Sequence, residues 1–434
     1  MKKFATIFML LAIVLVIAAC GGESAAPEPA VTSAVVPTLP PAPATATLLP
    51  PPVVSESGGA KPTTAPAPAE PELAAPAVLP AWPISDFGYG IQSHATIGDP
   101  AFTANVIKNQ LGLDWIKVQL EWPLVQPEPE VFQWFFYDGV VDEVSKQGLY
   151  LMFSVVGAPE WTRAAGGQNG PPDDYDHYAQ FLTALLERYP NQIQAIEVWN
   201  EQNLDREWTT ANGISPEDYV TFLQTAHDAI KAVDSNVIVI SGALAPTGSG
   251  DWVRWADDFE YLDRALAAGM LSYADCVGVH HNGYNIGPDV AFDQTGAVAE
   301  AGTAVFRGPF DNIHHSWSFK TTLDTYAAKA QAIDPNKKLC VTEFGWASSE
   351  GYDQYPAGFE FAQDNTLEEQ AQYIVQAYQQ MRDSNDVWLS FLFNFDFGNK
   401  GNGPTDDPVP YSIVDTQGIP RPAFGEIAAM EKTR

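Results

Sequence analysis

Basic residues are scarce in this chain: 22 Lys and Arg stand against 54 Asp and Glu in 434 residues, a formal charge of −32. A nucleic-acid surface needs a basic face to meet phosphate, so that class of partner is excluded, and a polyanionic polysaccharide is disfavoured. Cysteine is scarcer still, with only Cys20, Cys276 and Cys340. No Gly-rich turn follows the first predicted strand, which removes the phosphate cradle of a doubly wound nucleotide-binding sheet. Apart from the first residues, no apolar run approaches the roughly 20 residues that cross a bilayer.

What is present at the start is Lys2 and Lys3, an apolar run from Phe4 to Ala19, and then Cys20. A basic region, a short hydrophobic stretch and small residues before a break form a secretory leader. The residues before Cys20 resemble a bacterial lipobox, which implies cleavage at that point and lipidation of Cys20. An ordinary leader with an incidental cysteine is the other reading. The expectation is an extracytoplasmic protein, secreted or held at the cell surface, touching the membrane only through its lipid. Residues 21–80 turn abruptly to Pro, Ala, Thr, Val and Ser. Such a segment buries too little apolar surface to offset its ordering entropy and reads as an extended, disordered tether.

Residues 81–434 form the folded part, where apolar runs alternate with amphipathic ones in the pattern of a parallel sheet with crossover helices. Strands are predicted near 87–91, 115–120, 149–155, 193–198, 237–241, 276–280, 339–343 and 388–393. Helices are predicted near 100–111, 138–147, 175–189, 216–233, 252–267, 321–333, 367–383 and 423–432. Ser215 is a good N-cap for the fourth helix, with Asp218 three residues on. Eight strand–helix pairs are the count of an α/β (β/α)8 TIM barrel, and its site is built from the loops after the strands. Those loops are the long ones here, especially after strands three, six and eight.

Strand four ends in Trp199-Asn200-Glu201 and strand seven in Thr342-Glu343-Phe344-Gly345. In an eight-stranded barrel these two ends face each other across the mouth. Two facing carboxyls are the equipment for glycoside hydrolysis, with retention expected at about 5–5.5 Å separation and inversion when a water fits between them. The two motifs, with the strand order, resemble clan A of the glycoside hydrolases, most closely family 39 and cellulase-like family 5. The resemblance covers essentially the whole folded part. It implies that Glu201 is the acid/base, Glu343 the nucleophile, and Asn200 a donor to the sugar 2-hydroxyl. It also implies a hydroxyl from Tyr284 on the nucleophile and a barrel-mouth role for His280, with no cofactor. Strict alternation would turn Asn200 and Glu201 to opposite faces, so the strand must twist or end there for both to serve.

Aromatic residues make up 12% of the chain, and Trp161, Trp346 and Phe393 stand at or beyond strand ends where they could stack on sugars. Many members of the clan carry a Trp late in strand eight, where this chain has Phe393, and an Arg on strand two, where it has Lys117 and Gln119 nearby. Trp122 reads equally as cleft wall or core. His280 and His281 with His314 and His315 meet no metal-ligand spacing, so no metal is expected. Counting by twos from His280 and Glu343 turns Cys276 and Cys340 to different faces, predicting two buried free thiols. The expected activity is retaining cleavage of β-glycosidic bonds in a polysaccharide or oligosaccharide. A non-catalytic glycan-binding lipoprotein and a transglycosylase are the competing readings; sugar, linkage and oligomeric state are not readable.

Overall fold

Eight parallel strands curl around one axis in the order β5-β4-β3-β2-β1-β8-β7-β6. The computed structural model describes residues 78–433, so the leader with Cys20 and the tether to residue 77 lie outside the described residues. The strands are β1 Gly88–Gln92, β2 Trp115–Glu121, β3 Tyr150–Val156, β4 Ala195–Val198, β5 Ile238–Ser241, β6 Val277–Gly283, β7 Leu339–Trp346 and β8 Val387–Leu392. The crossover helices are α1 Pro100–Asn105 (continued as a π turn, Val106–Gln110), α2 Phe135–Lys146, α3 Asp176–Arg188 and α4 Pro216–Val233. They continue with α5 Asp258–Ala267, α6 Phe319–Gln331, α7 Leu367–Ser384 and α8 Pro422–Ala429. No helix among the described residues is long and apolar enough to cross a membrane.

The barrel closes between β5 and β6 with few ladder bonds. Isolated bridges join Ile240 to Cys276 and Leu244 to Val279, and the Ser241 hydroxyl accepts from the Gly278 N–H at 2.9 Å. A Cβ on Gly278 would lie 1.9 Å from the Ser241 carbonyl oxygen, so only glycine permits this seam.

Strands covered on both faces need continuous apolar character, and β3, with every residue buried, shows it. The outward side chains meet the helices in one large core, while Trp115, Met152, Ile240, Leu389 and Phe391 fill the interior. Ser215 caps α4 as expected, accepting from the Asp218 N–H. Helix α5 begins later than the sequence pattern predicts, because Asp257 caps it by accepting from the Glu260 N–H.

The cysteines overturn the expectation of free thiols. Cys276 and Cys340 are joined in a disulfide, packed among the interior side chains. Counting by twos fails because the register of β7 slips against β6 beside His280 and against β8 between Val341 and Phe344. Thr342 and Glu343 consequently both reach interior partners, Glu197 and Lys117. An irregularity of this kind shifts every face assignment on one side of it.

Candidate active site

β4 stops at Val198, and the chain then turns through Trp199 and Glu201 at φ 78° and 43°. These are left-handed conformations that non-glycine residues hold at a cost of about 1–3 kcal/mol each, and only when their surroundings enforce them. The enforcement is visible. The Trp199 indole, packed on Trp208 and Phe222, donates to the Glu207 carbonyl at 2.9 Å, and the Glu201 N–H donates to the Ala243 carbonyl at 2.9 Å. The turn lets Asn200 and Glu201 both line one cavity of about 480 Å³ at the C-terminal end of the barrel, with Glu343 opposite.

Below that cavity the two carboxylates join a ring of buried charges. Glu343 Oε1 accepts from the Lys117 ammonium at 3.0 Å, and Lys117 is also 3.4 Å from Glu197 Oε2. Glu197 accepts from the Thr342 hydroxyl at 2.6 Å and lies 3.7 Å from His280 Nε2. His280 Nδ1 is 3.3 Å from Glu201 Oε1 and 3.9 Å from Glu343 Oε2. That one nitrogen serves both carboxyls, so these oxygens are separated by no more than the sum of the two distances. Asn282 reaches the far oxygen of Glu343 at 3.4 Å.

Burial would push the Lys117 ammonium down, but Glu197 and Glu343 reverse this and raise it. His280 follows the same logic: burial lowers it, while Glu343 and Glu201 lift it above the ordinary imidazole value. For Glu201 burial acts upward, yet His280 and Arg206 hold the carboxyl below its ordinary value. A general acid needs the opposite direction, and the exposed Arg206, 3.1 Å from Glu201, is one of the two groups responsible. Glu207 on the same wall is pushed up to about 7 by burial and by Glu201, and burial also raises Glu121.

The other residues singled out in the sequence divide. Phe393 lines the cavity beside Phe397, which stacks on His94 at 4.5 Å. Trp346 does not serve as a platform: it is fully buried and its indole donates to the Ile286 carbonyl. Trp161 is half-buried, lies outside the cavity lining, and donates to the Gln126 carbonyl. Trp122 is core. The Tyr284 ring sits among Trp317, Phe361 and His281, with its hydroxyl pushed up to about 12 by burial. Among the described contacts, the bond that the resemblance implied from Tyr284 to Glu343 is made by Asn282 instead.

His281 Nε2 donates to the Ser316 carbonyl at 3.0 Å, on the outer side of β6. Away from the mouth, Asp257, Asp258 and His315 bring one ligand atom each within 4.8 Å of one another. These carboxylates are already committed to capping α5 and to the Gly248 N–H and Tyr326 hydroxyl.

Lys117, Glu197, Arg206 and Glu207 were not assigned roles from the sequence. Two of them carried a signal: Lys117 and Glu197 are charges flanked on both sides by apolar strand residues (Ile116 and Val118, Ile196 and Val198), and a buried charge must be paired.

No family model matches the chain, and no curated protein matches it. Solved structures do match the fold. A family 39 glycoside hydrolase from the gut symbiont Bacteroides cellulosilyticus WH2 superposes with a TM-score of 0.57 at 19% identity, over 81% of this chain and 64% of that one. A monomeric β-xylosidase from Caulobacter crescentus CB15 gives 0.55 at 19%, over 79% and 67%. Xylanase 10B from Thermotoga petrophila RKU-1, solved with xylobiose, gives 0.52 at 12%, over 80% and 94%. The chain thus spans just under two-thirds of the length of the Bacteroides structure, and it shares the barrel fold of the clan whose motifs its sequence resembles.

Proposed function

We propose that this protein is a retaining glycoside hydrolase acting on β-linked polysaccharide or oligosaccharide. The observation that carries the reading is the placement of Glu201 and Glu343, from opposite sides of the barrel, on one cavity and against one His280 nitrogen. In this mechanism Glu343 attacks the anomeric carbon while Glu201 protonates the departing oxygen. The glycosyl–Glu343 ester is then hydrolysed by a water that Glu201 deprotonates. Asn200, beside Glu201 on the cavity wall, donates to the 2-hydroxyl. Phe393 and Phe397 give the sugar an apolar wall.

The likeness to a family 39 hydrolase, a β-xylosidase and a xylanase supports this at the level of the scaffold. The leader-like start and the Pro-rich stretch of the sequence support an enzyme outside the cytoplasm, anchored through a lipid on Cys20. Palmitate labelling that is lost in Cys20→Ala tests the anchor.

The test of the activity is a panel of aryl β-glycosides, xylan, mannan and β-glucan, with the anomer of the first-formed product read by proton NMR. Hydrolysis with the β-anomer appearing first is expected. Initial release of the α-anomer would overturn retention, and binding without turnover across the panel would overturn hydrolysis.

A further inference from the structure

The ring beneath the cavity contains more charge than two catalytic carboxyls require. Lys117 and Glu197 are both fully buried, and neither lines the cavity, so neither touches substrate. Burying such a pair is costly: the desolvation of two ions is recovered only with good geometry and further hydrogen bonds, and apolar side chains of similar volume serve stability as well or better. Here the contacts lead in one direction, from Lys117 to Glu343 and from Glu197, through His280, to Glu201.

We propose that Lys117 and Glu197 are a buried positioning pair, in which Lys117 pairs with the Glu343 carboxylate and fixes it while Glu197 balances that charge and sets the proton affinity of the His280–Glu201 couple.

The charge balance supports this. Glu197, Glu201 and Glu343 oppose Lys117 and His280, so the fully ionised ring has a charge of −1 and one added proton makes it neutral. A low-dielectric interior favours the neutral state. Of the three carboxylates, Glu343 holds the ammonium at 3.0 Å, and Glu197 has the ammonium, the Thr342 hydroxyl and His280 around it. Glu201 is the carboxylate with no ammonium contact; His280 and Arg206 hold it ionised in the free protein, so it is the carboxylate that can take the proton once Arg206 is displaced. Arg206, the remaining cation facing Glu201, stands in the open cavity and adds the charge that keeps Glu201 ionised until substrate displaces it. Glu207 and Glu121 face the same cavity from β4's loop and the end of β2, and do not contact Lys117.

The inference rests on the hydrolase reading for its catalytic meaning, so its test has one arm with substrate and one without. The charge pair is removed together in Lys117→Met/Glu197→Gln, and the charge is preserved in Lys117→Arg. We expect the double variant to fold, its kcat to fall at least 100-fold, and the acidic limb of its kcat/KM profile to move up by a pH unit or more. Lys117→Arg should keep the acidic limb in place. Without substrate, infrared titration of the carboxylates, with the Glu343 band identified by its absence in Glu343→Gln, should show the same upward shift.

Should the double variant fail to fold, Glu197→Gln alone decides. Loss of its negative charge should lower the basic limb, and with it the His280 titration followed by NMR. A folded double variant with an unmoved Glu343 titration, or Glu197→Gln with an unmoved His280 titration, overturns the proposal. A wild-type protein inactive on every glycoside overturns the hydrolase reading and leaves the two titrations to decide the pair.

Discussion

The Arg206 guanidinium stands 3.1 Å from the Glu201 carboxylate although two-thirds of the Arg206 side chain, 67%, is open to the cavity. An exposed cation on a general acid works against proton donation, since it favours the ionised form. A sugar entering the cavity would meet Arg206 before it met Glu201, and its displacement would let burial raise the acid. Replacing Arg206 by Met should therefore raise the Glu201 pKa in the free enzyme. The basic limb of kcat/KM should move to higher pH by about half a unit to one unit, an effect limited by solvent screening. A limb that stays in place, or moves down, would show that Arg206 does not govern the acid.

The two carboxylates should separate by leaving group. In a double displacement the nucleophile is needed for every substrate, and acid assistance only for poor leaving groups. Glu343→Gln is expected to lose at least about 1,000-fold in kcat on all glycosides, with carbohydrate binding retained in calorimetry. Glu201→Ala should lose far more on xylan or alkyl glycosides than on dinitrophenyl glycosides. Equal losses on both substrate classes would remove Glu201 from the acid role.

The disulfide gives a prediction independent of function. Cys276 and Cys340 are separated by 64 positions, and closing a loop of that length restricts the unfolded chain by about 4 kcal/mol in the chain-entropy treatment, with about 2–4 kcal/mol typical in practice. The pair also fills the interior between β6 and β7 among Trp115, Met152 and Leu389. Thiol titration of the denatured, unreduced protein should find neither cysteine. Cys276→Ser/Cys340→Ser should lower stability by about 2–4 kcal/mol, read from chemical denaturation. An unchanged midpoint would mean that the link contributes nothing.

These residues also show where the sequence was legible. Apolar periodicity exposed all eight strands, because the strands are covered on both faces over most of their length and are mainly apolar there. It also exposed Glu201 and Glu343, because each follows such an apolar run: Glu201 lies three residues past the end of β4, and Glu343 lies within β7. What it could not expose is any feature that departs from regular periodicity. The slip in β7 moved Cys340 inward and invalidated counting from Glu343, and the positive φ angles at Trp199 and Glu201 brought Asn200 and Glu201 to one wall. Trp346 followed the same rule in reverse: β7 runs on to that residue and carries it into the core. Tertiary partners chose between Tyr284 and Asn282 for Glu343, and no local pattern encodes that choice. Lys117 and Glu197 were readable as charges out of place, but not as partners, since 80 residues and the intervening strand β3 separate them.

His281 makes the fold itself sensitive to acid. Its ring is completely buried against Phe319, and one nitrogen meets the Ser316 carbonyl at 3.0 Å. The other nitrogen has no hydrogen-bond partner among the described residues. Burial dominates, holding the imidazole down at about 4 against an ordinary value of 6.5. The folded state therefore keeps His281 neutral where the unfolded chain takes up a proton. Between those two values the unfolded state binds more protons, so stability falls as pH drops from 6.5 towards 4, by at most about 3 kcal/mol from this residue. His281→Gln retains an N–H for the Ser316 carbonyl but does not titrate. Its unfolding free energy should lie below wild type at pH 7, with a flatter dependence down to pH 4, so the gap between the two proteins narrows on acidification. Comparing the pair cancels Asp258, which burial raises, and Glu197, which Lys117 and His280 hold down. Parallel curves for the two proteins would show that His281 is not the group taking up the proton.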